Sequence, residues 1–277
     1  MFSDRRIGLV LIAPATLFIL IGFLLPVCIL LADAFRTADG GWGGDAFVEF
    51  FSLALNREVF LRTLRIGALV TLVSAIIGYA VALTIFDLSG RQRGRLVATL
   101  VLPLMISPVA RTYAWVVILG KTGIVNQFLV STGILSSPAR ILFSETAIFI
   151  GLIQLFFPLM VLPLLSAMEN LPRDMVPAAR ILGANWLQVF WKIILPLTRE
   201  GLVVGGTLVF VGSLTAYVTP AILGGSKVLM LETLLYQRVN VASDFISASV
   251  IAVILIAMSI LANVVLKRLA STRKGGK

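Results

Sequence analysis

The residue types that do most proton work in enzymes are nearly missing from this sequence. Histidine is absent, and the only cysteine, Cys28, lies inside an apolar run. That removes Ser–His chemistry, most zinc sites, any disulfide framework and any thiolate metal cluster. Gly120-Lys121-Thr122 imitates the end of a phosphate-binding loop, but the glycine such a loop needs five residues earlier is Trp115. No catalytic constellation emerges, and the chain reads as a non-enzyme. What remains are polar side chains in apolar surroundings. Arg111 is the one charge within such a run. On an unbroken helix entered at Leu96 it would sit about 22 Å along, at 1.5 Å per residue. There snorkelling relieves the roughly 3 kcal/mol cost of a mid-membrane arginine; equally, it could line a passage or pair across a subunit interface. Tyr79, Tyr113, Trp115, Gln154, Thr215, Tyr217 and Thr219 are the other candidates for a passage wall, although tyrosines near helix ends also serve as interface anchors.

A second group of residues lies in Glu169–Arg199. Pro177 falls in the first turn of a helix that Asp174 can cap, where a missing N–H costs least. Met175, Ala178, Ala179 and Leu182 follow at helical spacing and Gly183 ends the helix. A second short helix begins near Asn185 and presents Trp186, Leu187, Phe190 and Trp191, with Pro196 before the next apolar run. An apolar-faced helix in such a loop either docks on another protein or folds back on its own helix ends. Its alanines permit close approach of another backbone.

The elements that must position these residues are membrane spans. Of 277 residues, 59% are hydrophobic and 13% charged, against about 25% charged in globular domains. A span needs about 20 mostly apolar residues. Ile7–Leu31, Ile66–Phe86, Thr146–Met168, Gly201–Ser226 and Phe245–Leu266 carry no charge, and Leu96–Gly120 carries only Arg111. None alternates as barrel strands do. The expectation is an all-α polytopic membrane protein: one domain over 1–277, with six helices and a cytoplasmic segment at 169–199. Fourteen basic residues, among them Arg5, Arg6, Arg91, Arg93, Arg95, Arg173, Arg180 and Lys192, fall on the side of both termini against five acids, while the opposite loops balance. Basic loops stay inside, so both termini are expected in the cytoplasm, and the net charge of +10 reads as topology rather than nucleic-acid binding. The first run is too long for a signal-peptide core of 7–15 residues and is expected to be retained. Phe47–Leu61 reads as a helix along the interface with Asp45, Glu49 and Glu58 toward water, and the tail from Ser271 as disordered.

An ion-coupled carrier would keep ionisable groups within its spans, and six spans without an inverted repeat also disfavour that fold. A membrane-embedded enzyme would need a histidine, paired carboxylates or a metal cluster. The spaced set Ala178-Ala179, Gly183, Ile193, Leu195-Pro196 is similar to the EAA motif of binding-protein-dependent permeases of the ABC importer superfamily. Proline, at 177, stands where that family has glutamate. Gly78-Tyr79, Arg111-Thr112-Tyr113-Ala114-Trp115, the loop with Gly123 and Asn126, and the stretch from Tyr217 to Gly225 resemble the spermidine/putrescine-type subgroup. The resemblance implies a type I importer permease fold in a bacterial inner membrane, with Met175, Ala178, Ala179, Arg180, Leu182 and Gly183 docking on an ATPase. The implied partners are a similar second permease, two copies of a cytoplasmic ATPase that bind ATP and Mg, and a periplasmic substrate-binding protein. This chain itself would hold no cofactor or metal. The implied solute is a polyamine, putrescine or spermidine, with an amino-acid derivative as the alternative.

Overall fold

The computed structural model describes residues 5–37, 41–172 and 174–271; the expectations that fall on Arg173 and on 272–277 lie outside the described residues. The described residues are mostly helical, and among them one bridge pairs Arg36 with Trp42. In chain order the helices are α1 (Arg5–Ile19), α2 (Leu25–Asp33), α3 (Asp45–Ser52), α4 (Ala54–Asp87), α5 (Gly90–Val101), α6 (Pro108–Leu119), α7 (Ile124–Ser131) and α8 (Glu145–Glu169). They continue as α9 (Met175–Ile181), α10 (Trp186–Val189), α11 (Leu195–Leu197), α12 (Arg199–Leu214), α13 (Val218–Leu223), α14 (Leu231–Asn240) and α15 (Phe245–Ser271). The π turns Leu20–Leu24 and Phe190–Ile194 join α1 to α2 and α10 to α11. Two compact units emerge, Met1–Glu58 with Leu234–Ile256 and Val59–Thr233 with Ala257–Lys277.

Five stretches are long and apolar enough to cross a membrane: Leu11–Asp33, Ala54–Asp87, Pro108–Ser131, Glu145–Glu169 and Phe245–Arg268. A sixth arises if Trp186–Leu197 and Arg199–Leu214, bent by 69°, count as one. Three expectations change. The helix foreseen along the interface divides: α3 ends at Ser52, and Leu55–Leu61 belong to α4, whose 34 residues run about 51 Å at 1.5 Å each and outreach the ~30 Å apolar core. The third run is not continuous: Leu102–Met105 form a 3-10 turn and Ile106 and Ser107 are extended before α6 begins at Pro108. Pro108 accounts for the extended Ser107, because proline disfavours helical backbone at the residue before it, while Pro103 removes an N–H within the 3-10 turn. The depth reckoned for Arg111 on an unbroken helix therefore does not hold. The fifth run likewise stops at Leu214, and α13 restarts at Val218. By contrast α8 runs unbroken through Pro158 and Pro163.

The core of the larger unit joins α4, α8, α12 and α13 through fully buried Val70, Ala82, Met160, Leu164, Val209 and Leu223. The closest helix pair is α8 with α12. A Cβ at Gly201 would lie 2.5 Å from the Pro163 carbonyl oxygen, and one at Gly205 3.0 Å from that of Met160. Between helices in lipid, small residues at four-residue spacing allow this approach, where van der Waals contact rather than the hydrophobic effect holds helices together. At the opening of α8, Ser144 caps Ala147. Arg62 donates to Glu145 Oε1 at 2.9 Å and to the Leu229 carbonyl at 3.1 Å, and Arg65 pairs with the other carboxylate oxygen. At the far end Arg93 pairs with Glu169. Both ends of α8 are thus fixed by charge and its middle by shape. Gly201→Leu should cost about 1–3 kcal/mol through overpacking and lower the melting temperature of the purified protein. Gly94→Ala, inside α5 with nothing within 4 Å of its added carbon, should not lower it and should raise it slightly, since glycine within a helix costs about 0.5–1 kcal/mol relative to alanine.

Candidate functional site

The segment after α8 folds as two short helices joined at Gly183. That glycine has φ +84°, the left-handed region that a Cβ disfavours, and Gly183 and Ala184 N–H close the turn on the Arg180 and Ala179 carbonyls. Asp174 precedes α9 without a side-chain capping bond. The second helix is capped in full: Asn185 accepts from the Gln188 N–H at 2.8 Å while Gln188 accepts from that of Asn185 at 3.0 Å, a reciprocal capping box.

This turn sorts the apolar residues into two faces. Val176, Ala179 and Ala184 are partly buried against the chain's own core. Ala178 is exposed, and Ile181 and Leu182 are 86% and 87% exposed. Met175, Trp186, Leu187 and Trp191 are also open, and the Arg180 guanidinium lies 5.9 Å from the Trp186 ring centroid. Ile181 escaped the sequence reading because it sits off the spacing of 175, 178, 179 and 182. Here the outward side is a turn, where consecutive side chains can both face out.

The segment enters the membrane through a bend at Thr198, which is fully buried. Its hydroxyl donates to the Ile194 carbonyl at 2.8 Å and meets the Tyr79 hydroxyl at 2.8 Å. The Tyr79 ring stands edge-on to Phe190 at 5.5 Å. Tyr79 is only 7% exposed; it ties α4 to the bend between the loop helices and α12. Thr198 was not visible as a functional residue in sequence, since only the fold brings it to Tyr79, 119 positions away.

The remaining candidates do not converge. Thr219 is buried and its hydroxyl lies 3.2 Å from that of Thr112; this pair joins α13 to α6, the helices that restart after the two breaks. Thr215 is exposed and bonds the Val211 carbonyl. Tyr113 is exposed, and Tyr217 half-buried. Trp115 Nε1 donates to Gln154 Oε1 at 3.4 Å, and both line an apolar cleft of about 810 Å³ among α4, α5, α6 and α8 that also holds Phe157. Arg111 is half-buried, and its Nε and Nη1 are buried with no hydrogen-bond partner. No group of three or more Cys, Asp or Glu able to hold a metal occurs among the described residues.

Residues 88–274 match the family model described as binding-protein-dependent transport system inner membrane component. The chain is 34% identical over 235 residues to the spermidine/putrescine transport system permease protein PotB of Haemophilus influenzae, covering 83% of this chain and 82% of that one. It is 32% identical to PotB of Escherichia coli, covering 75% and 77%. Its fold is similar to a chain of a bacterial alginate ABC transporter in complex with an alginate pentasaccharide-bound periplasmic protein, with TM-score 0.80, 19% identity and coverage of 96% and 94%. The hydroxyl pair at the bend is testable by itself. In a double-mutant cycle of Tyr79→Phe and Thr198→Val, thermal unfolding of the purified protein should give a coupling of about 0.5–1.5 kcal/mol, whereas two independent residues would give none.

Proposed function

The chain belongs to the binding-protein-dependent transport system inner membrane component family, and on that premise we propose that it forms half of the pathway by which a polyamine, putrescine or spermidine, enters the cell. It is a non-catalytic, multi-pass inner-membrane permease subunit of an ABC importer. The observation that carries the solute is the 34% identity to a spermidine/putrescine permease over most of both chains.

In this reading both termini and α9 lie in the cytoplasm, where a separate ATPase binds ATP and Mg. One copy of it receives α9 in a groove, and a second copy serves a similar, non-identical permease. Exposed Ile181 and Leu182, with Met175 and Ala178 beside them, supply the docking face, and burial of each large side chain is worth about 1.5–3 kcal/mol. Arg180 stiffens that face through Trp186, and Gly183 gives the turn that exposes it. Closure of the ATPase dimer moves α9. The buried Thr198 hinge passes the movement to α12, which the Gly201 and Gly205 contacts lock onto α8, and the spans alternate between outward and inward openings. Arg111, with two buried unpaired nitrogens, takes its acceptor from the second permease, because a buried donor left unmade costs about 1–3 kcal/mol.

The cleft holding Trp115 and Phe157 contributes a wall of the route. No carboxylate lines it, so a cation meets aromatic faces worth roughly 0.5–2 kcal/mol each. Such weak sites let the solute leave, and selection then belongs to the binding protein. Uptake of labelled putrescine into vesicles containing the reconstituted importer tests the reading. Uptake that requires ATP and the binding protein supports it; tight binding of an anion by that protein, with no polyamine response, would end the polyamine assignment. In the same vesicles Leu182→Asp should insert normally yet lower uptake at least tenfold. A periplasm-active reporter should be silent when fused after Lys277 and active when inserted at Ser136.

A further inference from the structure

At the end of α8 farthest from the docking helix, three stretches of chain enclose a cavity of about 510 Å³ whose lining includes Lys121, Arg140 and Lys227 and neither Asp nor Glu. Its walls are built, not incidental. Asn126, which is fully buried, donates to the Gly120 carbonyl at 2.9 Å and the Ala139 carbonyl at 3.1 Å, and accepts from the Ala139 N–H at 2.8 Å. One side chain thereby staples together the residues just before Lys121 and Arg140. The third wall is pinned by the Phe143 N–H, which donates to the Leu223 carbonyl at 2.9 Å. Phe143 and Gly225 both take left-handed backbone, at φ 60° and 59°. A Cβ at Gly225 would lie 3.0 Å from the Phe143 ring, so the ring backs the loop that leads to Lys227. Left-handed backbone at a bulky residue such as Phe143 costs of order 1–3 kcal/mol and is held only where its surroundings impose it. Of the acids nearest in sequence, Glu145 is already engaged by Arg62 and Arg65 and neither it nor Glu232 lines the cavity, so the lining carries three cations and no acid.

We propose that this pocket receives a carboxylate-bearing loop of the periplasmic binding protein and so registers that protein on the permease; the proposal rests on the importer reading above. α8 crosses the membrane and ends next to the cytoplasmic docking segment, so its opening end, and the pocket beside Phe143, face the periplasm. Three like charges at the mouth of one cavity attract carboxylates, and because all three are exposed that attraction weakens as salt is added. They also repel free polyamines, so a cationic solute gains the route only when a docked carrier delivers it. Steering of this kind acts chiefly on the encounter, and removing one charge lowers the rate of association and its dependence on salt.

The test uses the whole transporter in lipid nanodiscs and its purified binding protein, with ATPase stimulation titrated between 50 and 300 mM salt. Arg140→Glu and Lys121→Gln should each raise the half-saturating concentration of binding protein, about tenfold for the reversal, with the rate recovered at saturation and a flatter salt dependence. Arg140→Lys should restore wild-type behaviour. An unchanged half-saturation and salt profile in both variants overturns the proposal while leaving the importer assignment standing. A changed choice of solute without a shift in half-saturation makes the pocket a solute site and also overturns it. A wild-type transporter that no binding protein stimulates removes the importer reading and this inference together.

Discussion

A bilayer core offers the backbone no hydrogen-bond partners, so every N–H and carbonyl within it must be satisfied by the protein. Helices do this by themselves, and most of this chain is helix for that reason. The informative places are those where the helix stops: Ile106–Ser107, Thr198 and Thr215–Tyr217. Broken backbone within a bilayer is tolerated only inside protein or along a water-filled cavity; Ile106, Ser107 and Thr215 are exposed here, while hydroxyls beside the breaks are buried. Thr198 is buried and tied to Tyr79. Thr112 and Thr219, on the helices that restart after the other two breaks, are buried against each other. Each hydroxyl also bonds a carbonyl or its partner, so a small polar pair can stand in apolar surroundings without an orphaned donor.

These breaks leave the larger unit with a close-packed helix pair and a bent junction. Along α8 and α12 the backbones touch at Gly201 and Gly205, and the fit leaves no space for adjustment. At Thr198 the same chain turns by 69° on one buried hydroxyl pair. A rigid helix pair meeting a docking loop at such a hinge suits a protein whose work is to convey displacement. The loop agrees in its own construction: its inward face is anchored by Val176, Ala179 and Ala184, while Ile181 and Leu182 are held out at the turn where Gly183 reverses the chain.

Charge is placed at the two ends of the spans, with opposite roles. On the docking side Arg93 closes on Glu169, fixing the point from which the loop departs. At the other end Arg62 and Arg65 consume Glu145, which leaves Lys121, Arg140 and Lys227 with no acid beside them. Between the ends lies Arg111 alone, two of its nitrogens unpaired. A polypeptide that leaves cations without partners at a rim and at one point within a span is incomplete electrostatically by itself, in keeping with a subunit of a larger assembly.

The sequence by itself determined the class and the partition into spans. Long uncharged runs have one stable outcome in lipid, and the absence of histidine removed the commonest proton chemistry from the chain. It also determined the local fold of the loop between α8 and α12, because Pro177, Gly183 and Asn185 act through local backbone preferences that need no tertiary partner. The tertiary structure decided what lies far apart in sequence. It placed Tyr79 against Thr198 and packed Ala179 on the chain's own core. The breaks in the third and fifth runs were disguised by hydropathy, which counts apolar side chains and is blind to whether the backbone between them stays helical. The cationic pocket was hidden for the same reason as the hinge: Lys121, Arg140 and Lys227 become neighbours only through Asn126 and Phe143, and hydrogen bonds between distant loops leave no periodic trace in the sequence.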